Sequence, residues 1–259
     1  MSTLTDTDLI RPSSTVVLAR AATGDPEIFM VRRHENSSFG DAYAFPGGVV
    51  DPDDREVHEF CADLSARSAN SRLGVKAFGL DYYSAAVREL FEETGILFAD
   101  ISGLDEDLGA VRDALNSGSR SWADFVRGNE LPLHCDQLHY ISHWVTPPAL
   151  PARYTTRFFL AALPEGQEAL HCGGELTDSC WITATDMLAA GRKGDAKLHY
   201  PTEKTLESIA RHKTHESLLD WAKACIEWGI TSMLPVVIER DGEKEVVLPG
   251  DRDYPGTSL

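Results

Sequence analysis

The sequence has no long apolar run, no internal repeat, no paired-cysteine motif and little positive charge. No stretch approaches the ~18 consecutive apolar residues that a spanning helix needs, so no membrane contact is expected. The opening "MSTLTDTDLIRPSS" is polar and reads as neither signal peptide nor anchor. Cys61, Cys135, Cys172, Cys180 and Cys225 are odd in number, scattered and nowhere spaced C-x-x-C. That usage argues against a disulfide framework and for free thiols in a reducing, cytoplasmic setting. Against 41 acidic residues stand 24 Lys and Arg, for a net charge of -17. Coating nucleic acid or an anionic membrane depends on a basic surface, so neither is an expected partner. A small phosphorylated ligand stays open if a divalent cation mediates.

What is present is ordinary globular material: 259 residues, 42% hydrophobic and 25% charged, enough to bury a core as one domain with embellishments. "STVVLAR" (14–20) and "EIFMVRR" (27–33) read as strands joined by the turn residues of "ATGDP", and they feed a Gly-Gly turn in "AYAFPGGVVD". A short helix is expected over 57–65, with "SANSRLG" after it as a loop. "DYYSAAVRELFEETGILF" has helical spacing and ends on Gly95, a C-terminal cap. Two further helices are expected in 104–127. Strands follow in "LHYISHWVTP", "TTRFFLAAL" and "SCWITA", which are rich in aromatic and β-branched residues. Helices are then expected in "ATDMLAAGRKGD", "PTEKTLESIARHKT" and "HESLLDWAKACIEWG", and a hairpin around Asp241-Gly242.

The stretch "AAVRELFEETGI" (85–96) raises an electrostatic question. Successive helical residues advance by about 100°, so Glu92 and Glu93 fall one turn after Glu89 on the same face. Like charges so placed cost a few tenths of a kcal/mol per pair, and Arg88 offsets part of that. A divalent cation would reverse the sign, because Mg²⁺ is commonly held by carboxylates together with substrate phosphates. On the helix alone, a solvated surface explains the composition somewhat better. The weight changes with "FPGGVVD", where Gly47 and Gly48 let backbone approach a ligand closely.

Together the two segments resemble the box of the Nudix hydrolase family, G-x5-E-x7-R-E-U-x-E-E-x-G-U, with U a bulky aliphatic residue. Gly48, Arg88, Glu89, Leu90, Glu92, Glu93, Gly95 and Ile96 match it. Two departures stand out. Position 54 holds Asp54 where the pattern has Glu, and the arginine expected at position 62 stands at 88, so 26 extra residues split the box. A split box introduced by "AFPGGVVD" looks like the branch similar to coenzyme A diphosphatases, with echoes in "TTRFFLA", "GGELTDSCW" and "VVLPGDRDYP".

The resemblance implies an α/β fold: a Nudix-type α/β/α sandwich on a mixed sheet, here one domain over 1–259 with an insertion at about 52–80 and a C-terminal extension at about 200–259. It implies Mg²⁺ or Mn²⁺, and hydrolysis of a diphosphate linkage in a nucleoside diphosphate derivative such as coenzyme A, an acyl-coenzyme A or a nucleotide sugar. Glu92 and Glu93 match the principal metal ligands, and Glu89 a further ligand that can serve as general base. Arg88 matches the arginine that orients the glutamates, the carbonyl of Gly47 is an extra ligand, and Glu175 lies where many members supply an acidic group from outside the box. The family makes a homodimer the assembly to test. A Nudix-fold module that binds a nucleotide without turnover is the alternative, although such modules usually lose box carboxylates that this chain keeps. His139 and His143 share a strand face but lack completing ligands, no acyl-transfer nucleophile signature is present, and Phe125 and the scattered tryptophans read as core or interface.

Overall fold

The computed structural model describes residues 10–33, 41–172, 176–240 and 242–255. β1 (Ile10–Arg20) is the organising strand. Its end at Ala19 and Arg20 pairs antiparallel with β2 (Glu27–Arg33), Ser13 to Thr15 pair antiparallel with β4 (Gly47–Val49), and its other edge runs parallel to β6 (Arg153–Ala162) from Ile10↔Arg153 to Ala19↔Ala162. Outward from β2 lie β3 (Tyr43–Ala44) and β7 (Leu176–Thr183), and outward from β6 lie β5 (His139–Val145) and the short β8 (Ser232–Met233). β5 runs antiparallel to β6 and parallel to β8. The result is a mixed eight-stranded sheet. A separate hairpin pairs β9 (Val236–Arg240) with β10 (Glu243–Val247); its turn residue Asp241 lies outside the described residues.

Both faces of the sheet are covered, which is why β1 buries Val16, Val17, Leu18 and Ala19 in succession rather than alternately. Val16, Leu18, Phe29, Val31 and Phe159 face one helical layer: α1 (Pro52–Glu56), α2 (Ala66–Leu73), α3 (Gly79–Thr94), α4 (Leu108–Asn116) and α5 (Trp122–Gly128). Val17, Ala19, Ile28, Met30 and Leu160 face the other: α6 (Ala184–Lys193), α7 (Tyr200–Ile209) and α8 (His215–Trp228). This is the expected α/β/α sandwich on a mixed sheet. Among the described residues no helix is long and apolar enough to cross a membrane.

α3 forms where the spacing predicts. Tyr83, Val87, Leu90 and Phe91 recur at three- and four-residue intervals and are fully buried, a gross transfer gain of roughly 6–12 kcal/mol. Gly95, left-handed at φ 77°, ends the helix with its N–H on the Phe91 carbonyl. At the other end, Phe78 has no capping side chain, and the Gly79 N–H donates instead to Oδ1 of Asn70 on α2 at 2.7 Å.

Two local expectations are corrected. Residues 57–65 hold only a 3-10 turn at His58–Phe60, and the helix lies over the supposed loop as α2. Ser65 caps α2 by accepting from the Ser68 N–H, and burial of Ala69 and Leu73 outweighs the low helix propensity of the Ser and Asn residues. The Gly-Gly pair belongs to β4 rather than to a turn, with Gly47 opposite Thr15 and Gly48 opposite Ser14. Of the tryptophans, Trp122 and Trp144 are buried, whereas Trp228 is exposed.

Candidate active site

The site is built where α3 crosses β4. A Cβ on Gly47 would fall 2.3 Å from the Ser14 carbonyl oxygen, and one on Gly48 would fall 2.4 Å from the Glu89 carboxylate carbon. The two glycines therefore have different tasks. Gly47, at φ 153°, lets β4 lie against β1, while Gly48 lets the Glu89 carboxylate rest on the strand.

Arg88 is the hub of the cluster. Its Nε and Nη2 donate to the two oxygens of Asp54 at 3.1 and 3.0 Å, and Nη2 also donates to the Val49 carbonyl at 2.9 Å. Its Nη1 donates to Glu89 Oε1 at 2.8 Å and to Glu92 Oε2 at 3.2 Å. Those contacts engage all five guanidinium N–H groups. Asp54 has no exposed surface and also accepts from the Ser84 hydroxyl at 3.1 Å and the Asp51 N–H at 2.8 Å. Ser84 in turn accepts from Trp122 Nε1 at 3.1 Å. A chain of fixed groups thus runs from the α5 tryptophan through Asp54 to Arg88 and out to two glutamates.

Asp54 is the residue whose importance the sequence understated. It stands at the box position where the pattern has Glu, and that coincidence was the available signal. Its partnership with Arg88 spans 34 positions, so no local pattern could show it.

Glu89 and Glu92 meet at Arg88, and Glu93 points to β4 instead. Glu93 is buried and accepts from the Gly47 N–H at 2.8 Å, while the Glu89 and Glu92 side chains keep 15% and 19% of their surface open to an approaching ligand. Burial pushes the Glu92 carboxyl up to about 7; Arg88 pulls it down and Glu89 pushes it further up. Burial likewise raises Asp54, against the lowering pull of Arg88. Among the described residues, no three His, Cys, Asp or Glu side chains stand ready-placed to hold a metal ion. Glu89 and Glu92 are turned onto Arg88, and Glu93 onto Gly47.

The donor chemistry nevertheless fits a hard divalent cation. Asp54, Glu89 and Glu92 share one guanidinium, Glu93 adds a fourth carboxylate, and burial chiefly, with repulsion from Glu89 in addition, raises Glu92. Added positive charge is what such a cluster favours. Gly47 lies within the cluster; Glu175 lies outside the described residues. His143 has no part in it: its ring nitrogens engage the Thr155 and Ser232 hydroxyls at 2.7 and 2.5 Å.

The family model described as NUDIX domain matches residues 10–201. The Caenorhabditis elegans protein named "Putative nudix hydrolase 7" is 25% identical over 254 residues, covering 94% of this chain and 74% of that protein. The crystal structure of a NUDIX hydrolase from Alicyclobacillus acidocaldarius superposes with a TM-score of 0.69 at 26% identity, covering 84% of this chain and 97% of the other. A match that runs from β1 through the box helix to the start of α7, on this sheet, means that the chain belongs to the Nudix hydrolase family, whose enzymes generally use divalent metal ions.

Proposed function

We propose that the protein hydrolyses a diphosphate linkage in a nucleoside diphosphate derivative with Mg²⁺ or Mn²⁺, and that coenzyme A or an acyl-coenzyme A is its first candidate substrate. The observation that carries this reading is the saturated Arg88, which fixes Glu89 and Glu92 in one direction from a buried anchor. In this reading Glu92 and Glu93 are the principal metal ligands, with Glu89 and the Gly47 carbonyl completing the set and Glu175 adding an acidic group from outside the box. The ion would neutralise charge building on the phosphate oxygens and lower the pKa of water. Water adds to one phosphorus, the bridging oxygen leaves with the other phosphate, and Glu89 accepts the proton of the attacking water.

The coenzyme A preference is supported by the split box and the sequence echoes of that branch. Residues at about 52–80 are read as an insertion in the box; within it Val57, Leu64 and the α2 residues Ala69 and Leu73 are buried in the same core cluster as α3. The cytoplasmic setting is supported by five free thiols.

A panel of dinucleotides, nucleotide sugars and coenzyme A species, read by product mass with Mg²⁺ or Mn²⁺, tests the substrate. Glu92→Gln and Glu93→Gln should each lower turnover at least a hundredfold while the circular dichroism spectrum stays unchanged. Full activity in both variants would remove the metal-ligand assignment.

A further inference from the structure

We infer that a second cleft, lying over β6, β5 and β8 and across β1 from the box carboxylates, binds a phosphate group. It has a volume of about 460 Å³ and is walled by Arg72 and Leu73 of α2, by His143, Arg157 and Ser232 of the sheet, and by Ile226 and Ile230 near the end of α8. Ligand sites commonly span roughly 300–1,000 Å³.

The charge of this cleft runs against that of the chain. Acidic residues outnumber basic ones 41 to 24 overall, yet the lining contains two arginines and no carboxylate. Arg157 is only 5% exposed, and its Nε is buried with no hydrogen-bond partner. Its Nη1 donates to the neutral Thr155 hydroxyl at 3.0 Å, and its guanidinium lies 5.1 Å from the Tyr82 ring centroid. A guanidinium cannot shed its proton, so this side chain stays charged in a setting where the described residues provide no ion pair for it. Buried charges are ordinarily paired. Burial and then Arg157 lower His143 to about 3, so the imidazole beside it stays neutral at physiological pH. A phosphate is the matching ligand: guanidinium forks meet its oxygens two at a time, and the neutral imidazole, engaged on the Thr155 and Ser232 hydroxyls, brings no competing charge.

Placement separates this cleft from the reaction centre. Gly48, Ser14, Arg157, His143 and Ser232 are successive neighbours across β4, β1, β6, β5 and β8. At about 4.8 Å per strand, Arg157 stands roughly 10 Å across the sheet from Gly48, which Glu89 touches. The walls also come from unusual parts of the chain. Arg72 and Leu73 lie within the segment that splits the box, and Ile226, Ile230 and Ser232 lie beyond residue 201, where the family match ends. The phosphate is either a second one carried by the substrate or one on a separate ligand. The former case rests on the reaction proposed above; phosphate binding itself does not.

The test is calorimetric titration of inorganic phosphate into the full chain in EDTA, which takes metal-dependent binding at the box out of the measurement. Saturable binding is expected in the wild type and in Glu92→Gln, with affinity at least tenfold weaker in Arg157→Gln and in Ser232→Asp. The second substitution places a carboxylate at the half-buried rim and guards against misfolding of the first, with circular dichroism as the control. Absence of binding in the wild type, equal binding in both cleft variants, or loss of binding in Glu92→Gln would overturn the inference. The source of the phosphate is then read from hydrolysis. If Ser232→Asp raises KM at least tenfold only for substrates with an additional phosphomonoester, the phosphate is the substrate's own; an unchanged KM beside weakened phosphate binding assigns a separate ligand. If no substrate is hydrolysed, the reaction proposal fails while the titration still decides the cleft.

Discussion

Replacing Asp54 by Ala removes the anchor of the box arginine and leaves Glu89, Glu92 and Glu93 in place. The lost carboxylate has no exposed surface and accepts four hydrogen bonds, two of them from Arg88. Arg88, whose side chain is 9% exposed, would keep its charge and lose its bidentate partner. Breaking a buried pair from one side costs about 3–5 kcal/mol, and the first turn of α1 loses half its capping box as well. Against a total stability of roughly 5–15 kcal/mol, that is a large share. Asp54→Asn keeps the shape but sets an amide N–H₂ against a guanidinium, and it should cost less, roughly 2–3 kcal/mol. Turnover should fall as well, by ~10²-fold, because Glu89 and Glu92 are aimed by an arginine that could now pivot. Urea denaturation followed by circular dichroism gives the first quantity, and metal-dependent phosphate release from the best substrate gives the second. A midpoint shift worth less than ~0.5 kcal/mol together with unchanged turnover would refute the hub.

The two β4 glycines should separate by readout: Gly47→Ala meets backbone at 2.3 Å and should destabilise the fold, whereas Gly48→Ala meets the Glu89 carboxylate and should chiefly reduce activity. Thermal melts beside initial rates check this, and equal stability losses would contradict it. For metal-free protein, the folded Glu92 keeps its proton up to about 7, against an ordinary value of 4.5. Between those pH values the folded state binds more protons than the unfolded chain, so stability should decline as pH rises, by roughly 3 kcal/mol. Glu92→Gln should flatten the slope, and Mg²⁺ should restore stability at pH 7; a slope that persists in the variant counts against the assignment. Shortening residues 57–76 to a tight linker should abolish cooperative unfolding, because it removes buried Val57, Leu64, Ala69 and Leu73 and the Asn70 cap of α3. A soluble, cooperatively melting deletion would show that α2 is dispensable.

How much was legible depended on the range of the forces involved. α3 could be read because its apolar spacing, its carboxylates and Gly95 are all local signals that agree. α2 could not, because "SANSRLG" is a poor helix former by itself and is helical through its Ser65 cap and the burial of Ala69 and Leu73. The glycines were read as a turn open to a ligand, whereas their close neighbours are Ser14 of β1 and the Glu89 carboxylate, and neither contact is local in sequence. Helical periodicity put Glu89, Glu92 and Glu93 on one turn of α3, but the turning of Glu93 onto Gly47 of β4 is a long-range contact that it could not show. The tie from Arg88 to Asp54, and the gathering of Arg72, Arg157 and Ser232 around one cleft, depend on contacts between distant parts of the chain.

The parallel pairing of β1 with β6 also has a consequence for synthesis. Ser13 on β1 meets Thr156 on β6 across 143 positions, with their hydroxyls 2.6 Å apart. The central seam of the sheet therefore cannot close until more than half the chain has left the ribosome. At about 5–20 residues per second, β1 waits on the order of 10–30 s for that partner. During this interval its apolar residues on both faces and an unpaired edge are open to other chains. Expression at lowered temperature, or with chaperones that shield extended segments, is expected to raise the soluble yield for this reason.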